Sequence, residues 1–259
     1  MTPDRSLAGD DRGVSEVIGY VLVVSLVITT VGVVSVSGIG VLQDAREAEQ
    51  IENAKRAFDL LADNMEDIYR EGAPSRSTEI QLGSAQLVAQ QTTTLNVSWV
   101  NSTGDRRFRE FPTTAITYRG DGDQRLIYDS GAVFRLSEPS GSGTVLRDPP
   151  FVITGERVVL AVPQVTSQGT SAVSGSTALI RKTRRGQSVL QESTAYDEIW
   201  INVTSPHWRA WRTALGAYQN IDCPQDDPAE DSVSCQLLAG SNPNRFYLTQ
   251  TQIRVALTR

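Results

Sequence analysis

Lysine is almost missing from this sequence: Lys55 and Lys182 are the only two among 24 basic residues, against 30 acidic ones and a net charge of -6. That balance excludes a general nucleic-acid binder, because affinity for the phosphate backbone rests on an excess of cationic side chains. It suits instead a surface hydrated in concentrated salt, although a GC-rich genome would also favour arginine. Histidine and cysteine are equally scarce. His207 stands alone, and Cys223 and Cys235 are the only cysteines. Neither a closed zinc site nor a Ser-His-Asp pattern can be assigned from such material. No catalytic residue, metal ligand or cofactor is expected, and the chain reads as a non-enzyme. His207, beside Trp208, is expected to be structural or exposed.

Charge itself is missing over one long stretch. From Val17 to Leu42 there is no Asp, Glu, Lys or Arg, and such a run is ample for a bilayer-spanning helix of about 20 residues. Arg5 and Arg12 precede it, whereas Asp44, Glu47, Glu49 and Glu52 follow it against Arg46 alone. Positive-inside bias then keeps the N-terminus in the cytoplasm and puts the C-terminal bulk outside.

An ordinary secretory signal would carry a shorter apolar core with its cleavage site behind it. Here the glycine stands in front. Arg12-Gly13, followed by Val14-Ser15-Glu16-Val17-Ile18-Gly19-Tyr20, resembles the class III signal of archaeal type IV pilins, particularly the pilin-like proteins of haloarchaea. The resemblance is specific over about the first 30 residues. It implies a membrane prepilin peptidase that cuts between Gly13 and Val14, leaving Glu16 third in the mature chain, where bacterial pilins carry their glutamate fifth. It also implies that the retained helix is both membrane anchor and filament core, with copies of the chain or related pilins as partners. An uncleaved signal anchor, with Gly13 as a flexible residue at the membrane edge, has the same hydropathy.

Beyond Leu42 nothing breaks the helix. Ile51, Ala54, Phe58, Leu61, Met65 and Ile68 recur at three and four, which puts them on one face, while Glu52, Lys55, Arg56, Asp59, Asp63 and Glu66 fall off it. Gly72 and Pro74 are stop signals. The spacing therefore predicts one helix from about Ser15 to about Arg70, roughly 80 Å long. Its outer half must lie on the chain's own sheet or on a neighbouring subunit.

From Thr78 the period changes to two. Strands are expected at Thr78 to Leu82, Leu95 to Trp99, Thr114 to Tyr118, Arg125 to Tyr128, Ala132 to Leu136, Phe151 to Ile153, Val158 to Val162, Ala178 to Lys182, Ser188 to Gln191, Ile199 to Val203 and Ile253 to Leu257. Turn residues such as Ser102-Thr103-Gly104-Asp105 separate them. Pro139 to Gly143 and Ser167 to Ser176 read as loops. A second helix is expected with Ser205 as N-cap and Pro206 as its first residue, its aromatic stripe Trp208, Trp211, Leu215 and Tyr218 packed as core. The fold class is thus α+β: a long N-terminal helix, then a mainly antiparallel, sandwich-like β domain with one short helix. The expected divisions are a cytoplasmic leader at 1–13, a transmembrane or filament-core helix at 14–42, an extracellular amphipathic helix at 43–71 and a β-rich extracellular domain at 72–259.

Outside the membrane Cys223 and Cys235 are expected to form a disulfide. The acidic residues between them, Asp226, Asp227, Glu230 and Asp231, lack the ordered spacing of a calcium loop and read as a hydrated surface. Arg119-Gly120-Asp121 spells an adhesion tripeptide, but Gly120-Asp121-Gly122-Asp123 is what a turn between strands requires. Arg181-Lys182-Thr183-Arg184-Arg185 reads as a solvated hairpin end. Asn96, Asn101 and Asn202 each open a glycosylation sequon. The sequence therefore points to a pilin-like surface subunit used for assembly or adhesion. The alternative is a monomeric single-pass surface protein whose β domain binds a ligand.

Overall fold

The computed structural model describes residues 11–101, 103–139, 141–193, 196–237 and 245–259. Leader residues 1–10 therefore lie outside the described residues, as do Ser102 of the expected turn and Ser140 of the expected loop. The described chain opens with one helix, α1 (Asp11–Tyr69). The chain divides into two compact units, one ending at Ala48 and the other running Glu49–Arg259.

In the second unit α1 lies on the chain's own strands. Phe58, Leu61, Met65 and Ile68 are fully buried and Ala54 almost so, the face that the three-four spacing marks out. Gly72 ends the helix region at φ 78°, a backbone state open to glycine without steric cost, and the Ala73 N–H reaches back to the Asp67 carbonyl at 2.9 Å.

Among the described residues fourteen strands follow: β1 (Ser75–Gln81), β2 (Gln86–Asn101), β3 (Arg106–Arg119), β4 (Gln124–Asp129), β5 (Ala132–Ser137), β6 (Ser142–Arg147), β7 (Phe151–Ile153), β8 (Arg157–Ser167), β9 (Ala172–Ser174), β10 (Thr177–Ser193), β11 (Tyr196–Thr204), β12 (Ile221–Asp227), β13 (Ser232–Leu237) and β14 (Arg245–Thr258). A short helix, α2 (Trp208–Gly216), stands between β11 and β12. One sheet runs β1-β10-β14-β8-β7, and the other runs β12-β13-β11-β2-β3-β4-β5-β6 with β9 against β2. Pairing is antiparallel except for β14 and β8, which run parallel.

The domain has two apolar cores rather than the one a plain sandwich would have. The first gathers Leu95, Val97, Phe111, Phe134, Leu160, Ile201, Trp211 and Phe246. The second gathers the α1 face with Ile80, Leu87, Ile116, Tyr118, Tyr128, Ile180 and Val255. Long strands serve both, one face at a time. In β2 the change is made by a bulge: Gln91 pairs with Thr114 and Thr93 with Thr113, so Thr92 is the extra residue. One inserted residue reverses the alternation, which carries Leu87 and Ala89 to the helix-side core and Leu95, Val97 and Trp99 to the other.

Four sequence expectations are corrected. The stretch from Ala178 to Gln191 is not two strands but the single strand β10, kept continuous through Gly186 by a register shift between Arg184 and Gly186. Arg181 to Arg185 is consequently mid-strand, between β1 and β14, and not a hairpin end. The loops at Pro139 to Gly143 and Ser167 to Ser176 contain the start of β6 and the whole of β9, because β5 and β2 offer open ladder positions to them. Finally, α2 starts at Trp208 with His207 at the cap position, two residues after Pro206. The Ser205 hydroxyl bonds Thr93 Oγ1 at 2.8 Å and accepts from the His207 N–H at 3.2 Å, ahead of the helix rather than within its first turn.

Candidate functional site

The first segment of interest is the N-terminal half of α1. Arg12, Gly13, Val14 and Glu16 all fall on the helix, which begins at Asp11, and their side chains lie outside the described residues. From Val17 to Ser35 the helix is long and apolar enough to cross a membrane, and none of it is buried within the chain. Twelve of its large apolar side chains, among them Tyr20, Leu26, Ile28 and Val34, are 53% to 72% exposed. Two of its threonine hydroxyls turn inward on the helix itself. Thr29 Oγ1 donates to the Ser25 carbonyl at 2.7 Å and Thr30 Oγ1 to the Leu26 carbonyl at 2.9 Å. Hydroxyls satisfied in this way need no water, which is the condition for a helix to enter an apolar medium.

In the β domain the two cysteines are bonded. Cys223 and Cys235 form a disulfide with Cα atoms 3.9 Å apart, joining β12 to β13 across a register shift between Asp222 and Gln225 that leaves Cys223 and Pro224 bulged. The acidic residues between them belong to this hairpin: Asp226 and Asp227 end β12, and Glu230 and Asp231 lie in its turn. Asp226 pairs with Arg212 of α2 at 2.8 Å. We expect reduction, or Cys223→Ser with Cys235→Ser, to cost up to about 3 kcal/mol in denaturant unfolding, the value for closing so short a loop in the unfolded chain. Thiol labelling of the unreduced native protein checks the bond directly.

The sequons separate into two groups. Asn96 and Asn202 are directly opposite one another on β2 and β11. Asn96 Nδ2 donates to Glu110 at 3.1 Å, and Asn202 Nδ2 to Ser234 Oγ at 2.7 Å. Asn101 instead opens the β2–β3 turn, where its Oδ1 accepts from the Thr103 and Asp105 N–H groups. The tripeptide Arg119-Gly120-Asp121 also enters a turn, between β3 and β4, tied down by the Arg125 guanidinium on the Gly120 and Gly122 carbonyls. His207 is half-buried, and burial together with nearby Arg119 pushes its imidazole down to about 4. It is neutral at pH 7.

Sequence reasoning missed a buried polar network at the centre of the domain. Asp129, fully buried, accepts from Thr93 Oγ1 at 2.6 Å and from Trp211 Nε1 at 3.0 Å, both on Oδ2. Its Oδ1 has no hydrogen-bond partner among the described residues. Thr93 continues the network to Ser205. The carboxyl sits at the start of a β4–β5 turn whose residues Ser130 and Gly131 both have positive φ, 48° and 94°, the geometry of a two-residue hairpin. Such turns are ordinarily solvated, so Asp-Ser-Gly carries no signal of burial. Here Pro150 and Pro163 cover it, and a Cβ on Gly131 would meet Pro150 Cδ at 2.4 Å.

Burial pushes the Asp129 carboxyl up to about 6, against the partial relief of its two donors. A folded pKa above the unfolded one means that the native state binds more protons between the two values, so this group's contribution is full below about pH 4 and is lost as pH rises through 6. Asp129→Asn should flatten that fall. The variant should be more stable than the wild type above pH 7, by less than about 3 kcal/mol, since two pKa units set the ceiling and the new Nδ2 gains no acceptor. Chemical denaturation between pH 4 and 8 measures it.

A hollow of about 430 Å³ beside the end of α1 is lined by Tyr69, Arg147, Phe151, Val152 and Val159. In its lining Arg147 holds Asp63 at 2.6 Å and also Glu66. Burial and the nearby Glu66 push the Tyr69 phenol up to about 12, which makes it a poor acid. No curated protein matches the chain. A family of unknown function (DUF7289) matches residues 12–256, and the chain belongs to that family.

Proposed function

We propose that this protein is a pilin-like subunit of a cell-surface filament, exported and held in the membrane by the N-terminal half of α1, with the β domain outside for assembly or adhesion. The observation that carries the reading is the apolar stretch Val17–Ser35, none of it buried within the chain. Each square ångström of such surface left in water costs about 25 cal/mol, so lipid or other helices must cover it. Arg12-Gly13 before the run, and the acidic residues after it, give the orientation and the cleavage point that the resemblance to archaeal pilins implies.

Mass spectrometry of the mature N-terminus tests the first step. A chain beginning at Val14 supports processing by a prepilin peptidase; one that keeps Met1 or Thr2 in the membrane leaves a plain single-pass anchor. Gly13→Val should accumulate the longer precursor, because a branched side chain obstructs a peptidase approaching the backbone there. Electron microscopy of sheared surface material then tests whether the processed chain polymerises.

A further inference from the structure

We propose that Lys182 and Asn64 become joined by an intramolecular amide bond that fastens α1 to β10. The two side chains converge on one oxygen. Asn64 Nδ2 donates to Thr78 Oγ1 at 2.9 Å, and Lys182 Nζ donates to the same hydroxyl. Lys182 is fully buried and Thr78 nearly so, and Thr78 is the amine's one hydrogen-bond partner among the described residues. An ammonium in such a place has lost its water and gained no carboxylate.

Burial without an ion-pair partner therefore raises the share of free amine well above that of a solvated lysine. Burial and the neighbouring Arg76 push Lys182 down to about 7, with Asp67 opposing. A neutral amine carries the lone pair that an acyl carbon needs. In the reaction Lys182 Nζ attacks Asn64 Cγ, the Nζ–Cγ bond forms, the Cγ–Nδ2 bond breaks, and ammonia leaves. The attacking nitrogen must lose a proton and the departing nitrogen must gain one. Thr78 Oγ1 touches both, so its hydroxyl can take the first and give the second. No oxidant or other co-reactant enters. Asp67 lies three residues beyond Asn64 on α1 and is held by Arg76 at 2.7 Å; the pair fixes the balance of charge beside the amine. The product is a neutral amide where a buried cation would otherwise stand.

The inference concerns the second unit alone and does not rest on the filament reading. In a subunit that carries load through α1 the bond would resist tension, and unlike the Cys223–Cys235 bridge it would survive reduction.

Intact mass of the full-length protein, purified, reduced and denatured, tests the bond. The expected result is a chain lighter by one ammonia than its measured N-terminus requires, with a digest yielding one branched peptide that holds both Asn64 and Lys182. Lys182→Met and Asn64→Ala should each restore the full mass. A wild type of full mass with an unlinked Lys182 peptide overturns the proposal. So does a deficit that persists in Lys182→Met, since that is the mark of a succinimide at Asn64. Should Lys182→Met fail to accumulate, the branched peptide in the wild type and its loss in Asn64→Ala decide the matter.

Discussion

Trp211→Ala should destabilise the β domain by about 3 to 5 kcal/mol, the range for emptying a large aromatic site in a packed core. Trp211 is fully buried and packs edge-to-face on Phe134 with centroids 5.4 Å apart. It also supplies one of the two donors to Asp129. Trp211→Phe separates the two contributions. The ring contact with Phe134 largely survives, while the lost N–H leaves a buried carboxylate with Thr93 as its only donor, a change of about 1 to 3 kcal/mol.

That second cost should depend on pH. With one donor gone the Asp129 carboxyl rises further above its ordinary value, so the native state holds its proton to higher pH and the stability loss through pH 6 becomes steeper. Denaturant midpoints for Trp211→Phe should therefore lie close to the wild type at pH 4 and well below it at pH 8. A deficit of equal size at both pH values would mean that the indole serves packing alone.

The sequence made the helix legible because its signal is long and local. Five of the six residues at three-four spacing on α1 enter the second core, with Ile51 packed at its margin and Ala62 joining them, and Gly72 marks the stop. Strand positions were legible for the same reason wherever alternation ran undisturbed, as in Leu95 to Trp99. It failed where a bulge intervened. Gly186 in β10 looks like a turn, yet β14 pairs on either side of it, so the information that keeps the strand continuous lies in a partner more than 60 residues away in sequence, as in Gly186 with Gln252. Lys182 shows the consequence. Read along the chain it is one of four cations in five residues; placed on β10 it alternates with Arg181 and Thr183 and points inward with Ala178 and Ile180. Asp129 was hidden similarly, since burial of a tight turn depends on Pro150 and Pro163 arriving from the β6–β7 connection and from β8. The cysteine pair was legible from number alone, but its position across a bulged hairpin was not.

Glu16→Gln should leave processing and membrane level unchanged and abolish recovery of the protein in sheared filaments. A carboxylate near the start of an apolar helix is costly in lipid, by about 2.5 to 3.5 kcal/mol at the bilayer centre and less towards the edge. In the uncut chain α1 begins at Asp11, which puts Glu16 beyond the first turn and away from the unpaired N–H groups that favour a negative charge. Cleavage after Gly13, as proposed above, would move the chain end to within two residues of it. The new α-amino group of Val14 then offers a cation, either of the same chain or of a neighbouring subunit. Only the second arrangement sets the axial register between helices. Glutamine keeps the shape and the helix propensity but removes the charge, so it leaves a helix start intact and breaks an intersubunit pair. Glu16→Gln filaments of normal yield would show that Glu16 serves only the start of its own helix, and the register of any assembly would then have to come from the apolar face between Val17 and Ser35.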